Sequence, residues 1–156
     1  MKREKAMSPK RATQLLRLTS AGTVLFGLML VLAPHSPLKP AGLVFVDLAF
    51  LPLDRAQDMD HEVAQLMMAI SGGLLCGLGV LIWQITTKLF SQNPSLARRV
   101  LIPALLAWYL PDSLGSMLSG AGFNVVMNTV FLAMFMLPLL LSAPASPSEA
   151  QFSRQS

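Results

Sequence analysis

The chain alternates long uncharged runs with short charged or proline-bearing breaks, and the lengths of those runs carry most of its meaning. Between Glu62 and Lys88 lie 25 uncharged residues, more than the roughly 20 that cross a hydrocarbon core at about 1.5 Å each. An earlier run over about 13–33 begins near Arg17, whose stem can snorkel to the head groups, and stops at Pro34-His35-Ser36-Pro37. From Val100 to Ser148 the chain is uncharged apart from Asp112. That is too long for one helix, and the small residues Ser119-Gly120-Ala121-Gly122 divide it into two.

The pattern therefore predicts an all-α polytopic membrane protein, a four-transmembrane-helix bundle with spans at about 13–33, 63–87, 98–118 and 123–141. A further apolar piece, 41–53, is 13 residues long and carries Asp47 and Pro52 after Pro40. It is too short to cross and is expected to lie at the membrane surface within a loop over 34–62. Residues 142–156 are rich in Ser, Pro and Ala and are expected to be disordered. The first run also has the basic start of a secretory signal. Cleavage after Ala33, however, would put Pro34 at the scissile bond and Val31 upstream, so the helix is read as uncleaved.

Composition agrees with lipid as the solvent: 53% of residues are hydrophobic and 13% charged, against about 25% charged in soluble domains. The net charge of +4 does not indicate nucleic acid, because the basic residues flank apolar runs instead of forming a surface stripe. They set the orientation instead. With four spans, Lys2, Arg3, Lys5, Lys10, Arg11, Arg17, Lys88, Arg98, Arg99 and Arg154 share one side, and only Lys39 and Arg55 fall on the other. The positive-inside rule then puts both termini, including the basic tail 1–12, in the cytoplasm of a bacterial-type inner membrane. The loop 34–62 becomes exoplasmic. The single cysteine, Cys76, lies within an apolar run and cannot form an intrachain disulfide.

No Gly-rich phosphate loop, CxxC pair, GxSxG elbow or HExxH helix occurs, and no cofactor is specified. Two polar constellations remain. If the second span's helix begins near Asp54, then Asp54, Asp58, His61, Glu62 and Gln65 line one side of it. They could hold a divalent cation, with His35 as a further ligand. The plainer reading is capping and solvation, since acids are favoured in a first helical turn.

The second constellation is Asp112, Ser113 and Ser116 in the third span, answered by Asn124 and Asn128 in the fourth. Counting from Arg99 puts Asp112 roughly 20 Å into a core about 30 Å thick. A hairpin folded about Gly120 brings Asn128 opposite it as the expected donor, while Asn124 is placed to cap the fourth span. Acids at such depth mark proton or substrate paths. Alternatively, Pro111 breaks the helix, Asp112 caps the following segment and Asn128 joins two helices.

Gly73 and Gly77 form a small-xxx-small pattern suited to helix packing, within the chain or between copies. Trp83 is placed as an interfacial anchor, and Trp108 and Tyr109 as packing or pocket residues. The order Leu15-Leu16-Arg17-Leu18, Leu32-Ala33-Pro34 and Ser71-Gly72-Gly73-Leu74-Leu75-Cys76-Gly77-Leu78-Gly79 resembles the small bacterial DoxX-like four-helix membrane proteins. The resemblance implies a four-helix membrane fold, and part of that family is linked to quinone-dependent sulfur oxidation. It supplies no catalytic residue for this chain, and the acidic loop departs from the family pattern. The sequence thus points to an accessory subunit or assembly factor of a larger membrane complex, with lipid and other membrane subunits, or further copies of itself, as partners. The alternatives are a small proton-coupled carrier, or a quinone- or lipid-linked membrane enzyme, using Asp112 and Asn128.

Overall fold

A computed structural model describes residues 7–142. Residues 1–6 and 143–156, among them most of the tail expected to be disordered, lie outside the described residues. The fold is all-α, with helices α1 (Pro9–Leu32), α2 (Lys39–Phe50), α3 (Glu62–Ile85), α4 (Pro94–Leu118) and α5 (Gly122–Leu141). Four of them, with their flanking turns, are long and apolar enough to cross a membrane. The protein is a multi-pass membrane protein built on a helical bundle.

Two helices begin earlier than hydrophobicity alone suggests. Ser8 caps α1 and Asn93 caps α4 through their side-chain oxygens, each followed by proline at the first helical position. That pair satisfies a free N–H and presets φ for the helix. Apolar content marks where a helix meets lipid; the cap marks where it starts. At the other end of α3 the helix widens into a π turn, Thr86–Phe90, with the Thr87 hydroxyl donating to the Trp83 and Gln84 carbonyls.

α1 and α3 run antiparallel along a seam made of backbone. A Cβ on Gly27 would lie 2.5 Å from the Gly72 carbonyl oxygen, and one on Gly79 would lie 2.9 Å from the Ser20 carbonyl oxygen. Gly72 and Gly79 are seven residues apart, as are Ser20 and Gly27, so one face of each helix repeats at two turns. The expected packing pair, Gly73 and Gly77, is not this seam: a Cβ at either meets nothing within 4 Å. The register is set one residue earlier, because Gly72 lies on the α1 side and Gly73 about 100° around the helix from it. Toward the end of the seam the Arg17 guanidinium sits 4.7 Å over the Trp83 ring, adding a cation–π contact to the anchor.

The buried apolar cluster, with Leu16, Ile82, Phe90, Leu101, Leu105, Phe135 and Leu139, occupies the half of the bundle where Met7 and Ser142 lie side by side. There the Met7 amide donates to the Leu141 carbonyl. Arg98 closes the C-terminus of α5, donating from Nε to the Leu139 carbonyl (2.6 Å) and from an η nitrogen to the Ser142 carbonyl (2.8 Å) and hydroxyl (2.6 Å). A guanidinium there meets both the orphan carbonyls and the negative end of the helix dipole. In the opposite half α3 packs on α1 and reaches α4 chiefly through the π turn. The bundle is closed at the terminal end and open at the loop end.

The segment expected to lie at the membrane surface forms a helix that packs against the bundle. Gly42 packs against Ala33, and Phe45 meets Phe26 edge-on at 4.8 Å between ring centroids. α2 therefore runs back beside α1 from its loop end, alongside α5. Residues 51–61 then return along α2: the Arg55 amide bonds Asp47, Met59 packs over Gly42, and Asp60 pairs with Lys39. A helix of 12 residues spans only about 18 Å, too short to cross.

Candidate functional site

The α4–α5 hairpin supplies the polar seam anticipated from Asp112. Its turn is a Schellman motif: the Ala121 amide bonds the Ser116 carbonyl and the Gly120 amide the Met117 carbonyl. Gly120 takes φ 79°, which glycine adopts without steric cost. That turn fixes the register of everything below it. The Asn124 side-chain amide donates to Ser116 Oγ at 2.8 Å. Ser116 Oγ in turn lies 2.8 Å from the Asp112 carbonyl oxygen and 3.4 Å from its carboxylate. Lower down, the Tyr109 and Thr129 hydroxyls meet at 2.8 Å, and Trp108 packs edge-on against Phe131.

Three expectations are corrected here. α4 is continuous through Pro103 and Pro111, so Asp112 is not the cap of a broken segment. Asn124 does not cap α5, whose N-cap Ala121 has no side-chain bond; its amide is spent across the hairpin. The donor that reaches the Asp112 residue is Ser116, oriented by Asn124, and not Asn128. Asn128 is instead 8% exposed with its Nδ2 unpartnered, and Ser113, 9% exposed, has an unpartnered hydroxyl. In the hairpin register both lie between the Ser116–Asn124 bridge and the Tyr109–Thr129 bridge. Two orphan polar groups in one seam are unusual, since most buried polar atoms find partners.

The acidic run does not assemble as a helical face. α3 begins at Glu62 with His61 as its N-cap, Nδ1 accepting from the Val63 amide. Asp54 accepts from the Ala56 amide and Asp58 from the Asp60 amide, two local turns that compete with helix formation. Gln65 reaches back to the Met59 carbonyl. With residues 51–61 irregular, Asp54, Asp58, His61 and Glu62 are not gathered along one side. Among the described residues no three His, Cys, Asp or Glu side chains converge on a point that could hold a metal.

A second polar place went unrecognised in the sequence. A cavity of about 470 Å³ lies between α2 and the returning segment, lined by Pro40, Leu43, Val44, Asp47, Leu53, Arg55 and Gln57. The first four recur at helical spacing on one face of α2, and the last three alternate as in an extended strand. Asp47 is 7% exposed. Its Oδ1 accepts from the Arg55 amide at 3.0 Å, which holds Arg55 at φ 60°, a left-handed conformation uncommon for a side chain of that size. The signal was an acid inside a short apolar helix, followed by the polar run Asp54-Arg55-Ala56-Gln57-Asp58.

Compared with known protein families, curated proteins and solved structures, the chain finds no match.

Proposed function

We propose that this multi-pass protein is an accessory subunit or assembly factor of a larger complex in a bacterial-type inner membrane, with both chain ends in the cytoplasm. The observation that carries the reading is the open loop-end half of the bundle. There α3, the least buried of the four long helices, has one packed face, on α1, and leaves Leu66, Ile70, Gly73 and Gly77 outward. Glycines open to the surrounding bilayer permit a second helix to approach to backbone distance, the contact that membrane helices use when no hydrophobic force drives them together. The orientation is supported by ten of the twelve basic residues falling on one side of four spans.

The test is purification of the tagged chain in mild detergent together with a cysteine crosslink from position 73, made in a Cys76→Ala background. A stoichiometric membrane partner crosslinked through Gly73→Cys is expected. A lone monomer with no crosslink sinks the reading.

A second reading rests on a separate observation, the unpartnered Ser113 hydroxyl and Asn128 amide beside Asp112. A seam that leaves two buried polar groups unspent suits a proton-coupled carrier, or an enzyme handling a quinone or lipid. Asp112→Asn in reconstituted vesicles separates the two readings. Loss of proton flux or turnover with normal folding favours the carrier or enzyme, and an inert vesicle with the parent protein removes it.

A further inference from the structure

The cavity between α2 and the returning segment presents opposite charges to the same space. The Asp47 carboxylate receives one backbone N–H, from Arg55, and the ion pair found among the described residues lies elsewhere, between Lys39 and Asp60. An ionised carboxylate accepts about four hydrogen bonds, and burying one so sparsely partnered is costly until a cation joins it. Arg55, an exposed residue of the same lining, has a guanidinium that makes no hydrogen bond to the described residues, leaving a donor fork that matches phosphate. Leu43, Val44 and Leu53 complete the walls. The volume of about 470 Å³ falls within the range of small-ligand sites, roughly 300–1,000 Å³.

A ligand that satisfies both groups carries a hydrogen-bonding cation and an anion a few bonds apart, on an apolar body. The cavity lies in the loop half of the bundle, where Gly42 of α2 packs on Ala33 just past the end of α1. We propose that this cavity binds an ammonium–phosphate zwitterion, the head group of an ethanolamine phospholipid, with its ammonium on Asp47 and its phosphate on Arg55. A quaternary choline lacks the N–H donors that Asp47 needs, and a glycerol head group lacks the cation.

Purified full-length protein in mild detergent is titrated with phosphatidylethanolamine, phosphatidylcholine, phosphatidylglycerol and soluble phosphoethanolamine, reading lipid retention by native mass spectrometry and thermal unfolding. The ethanolamine lipid is expected to be held about tenfold more tightly than the other two, as for one charge-assisted hydrogen bond. Asp47→Asn should erase its advantage over phosphatidylglycerol, and Arg55→Gln should weaken both. Val44→Trp, which fills the cavity and leaves both charges, should abolish retention. Stabilisation by soluble phosphoethanolamine as well places recognition in the head group alone; stabilisation by the lipid alone adds the acyl chains. Equal retention of all three lipids by the parent overturns the proposal, as does unchanged preference in Val44→Trp, which decides the matter should Asp47→Asn fail to fold. Equal destabilisation of the lipid-free protein by Arg55→Gln and Asp47→Asn, with no lipid preference, would mean that Arg55 turns inward to pair with Asp47, and also overturns it.

Discussion

The α1–α3 seam and the α4–α5 seam join antiparallel membrane helices in different ways, the first mainly by close packing and the second mainly by polar side chains. In the first, Gly27, Gly72 and Gly79 bring backbone against backbone, with the hydroxyls of Ser20 and Thr23 turned onto their own helix and only the Cys76 thiol, to the Val24 carbonyl, and Arg17, over Trp83, reaching across. In the second, side chains reach across, Asn124 to Ser116 and Tyr109 to Thr129, and Ser113 and Asn128 remain unspent. Lipid gives helices no hydrophobic reason to associate, so close packing and hydrogen bonding are the two available adhesives. A seam closed mainly by packing tolerates no added volume. A seam closed by polar side chains tolerates change and holds groups that nothing within it requires.

The sharpest way to break this contrast is to add volume to the tight seam. Leucine at position 72 would drive its Cβ into the Gly27 carbonyl oxygen, and overpacking costs about 1–3 kcal/mol, with a clash against backbone at the upper end of that range. Gly72→Leu should therefore yield little monodisperse protein in detergent. Gly73→Leu, one residue along and with open space at its Cβ, should leave thermal stability within about 0.5 kcal/mol of the parent. Equal damage from the two would mean that the seam does not lie where Gly72 places it.

The second effect concerns the cap that closes the polar hairpin from below. Arg98→Ala removes three hydrogen bonds to the end of α5 and a cation from the helix C-terminus. Bonds to charged groups contribute about 1.5–3 kcal/mol, so a loss of about 2 kcal/mol is expected by thermal unfolding in detergent. Arg98→Lys should recover only part of it, because an ammonium lacks the fork that spans Leu139 and Ser142.

How far these features could be read from sequence depends on their range. Four membrane-length helices follow from uncharged runs, a property of composition that no tertiary contact can override once lipid is the solvent. Asp112, Ser116 and Asn124 could be assigned to one seam because the Gly120 turn fixes the hairpin register locally. Which asparagine reaches which partner could not, since Asn124 and Asn128 lie one turn apart on the same face and the choice rests on side-chain reach. Gly72 against Gly73 is the same difficulty in another form: both are small, and only the placement of α1 decides which is needed. The α2 cavity was hidden because it joins a helix face to an extended segment whose pairing no local pattern announces. The acids at 54 and 58 were misplaced on a helix because short polar side chains bonded their own backbone instead.

Within the polar seam itself, Ser116→Ala cuts the link between Asn124 and Asp112. Interhelical hydrogen bonds in membranes average about 0.6 kcal/mol and reach about 1.7, so a loss of about 1 kcal/mol is expected. The double variant Ser116→Ala, Asn124→Ala should cost little more than the single one, because both changes remove the same bond. Additive losses would show that Asn124 has a partner other than Ser116.

The smallest effect is the most informative about why the second seam is polar. Asn128 holds a buried, unpartnered amide nitrogen, and an unsatisfied group is stabilised by replacement with an apolar side chain of similar shape. Asn128→Leu should therefore raise thermal stability by a few tenths of a kcal/mol. An asparagine that merely glues α5 to α4 would instead cost stability on replacement, as Ser116 does. Retaining a residue that leucine betters in folding is the mark of a site maintained for what it contacts. If Asn128→Leu destabilises the protein to the same extent as Ser116→Ala, the two bridges and the groups between them form one structural adhesive, and the contrast between the seams reduces to two ways of packing.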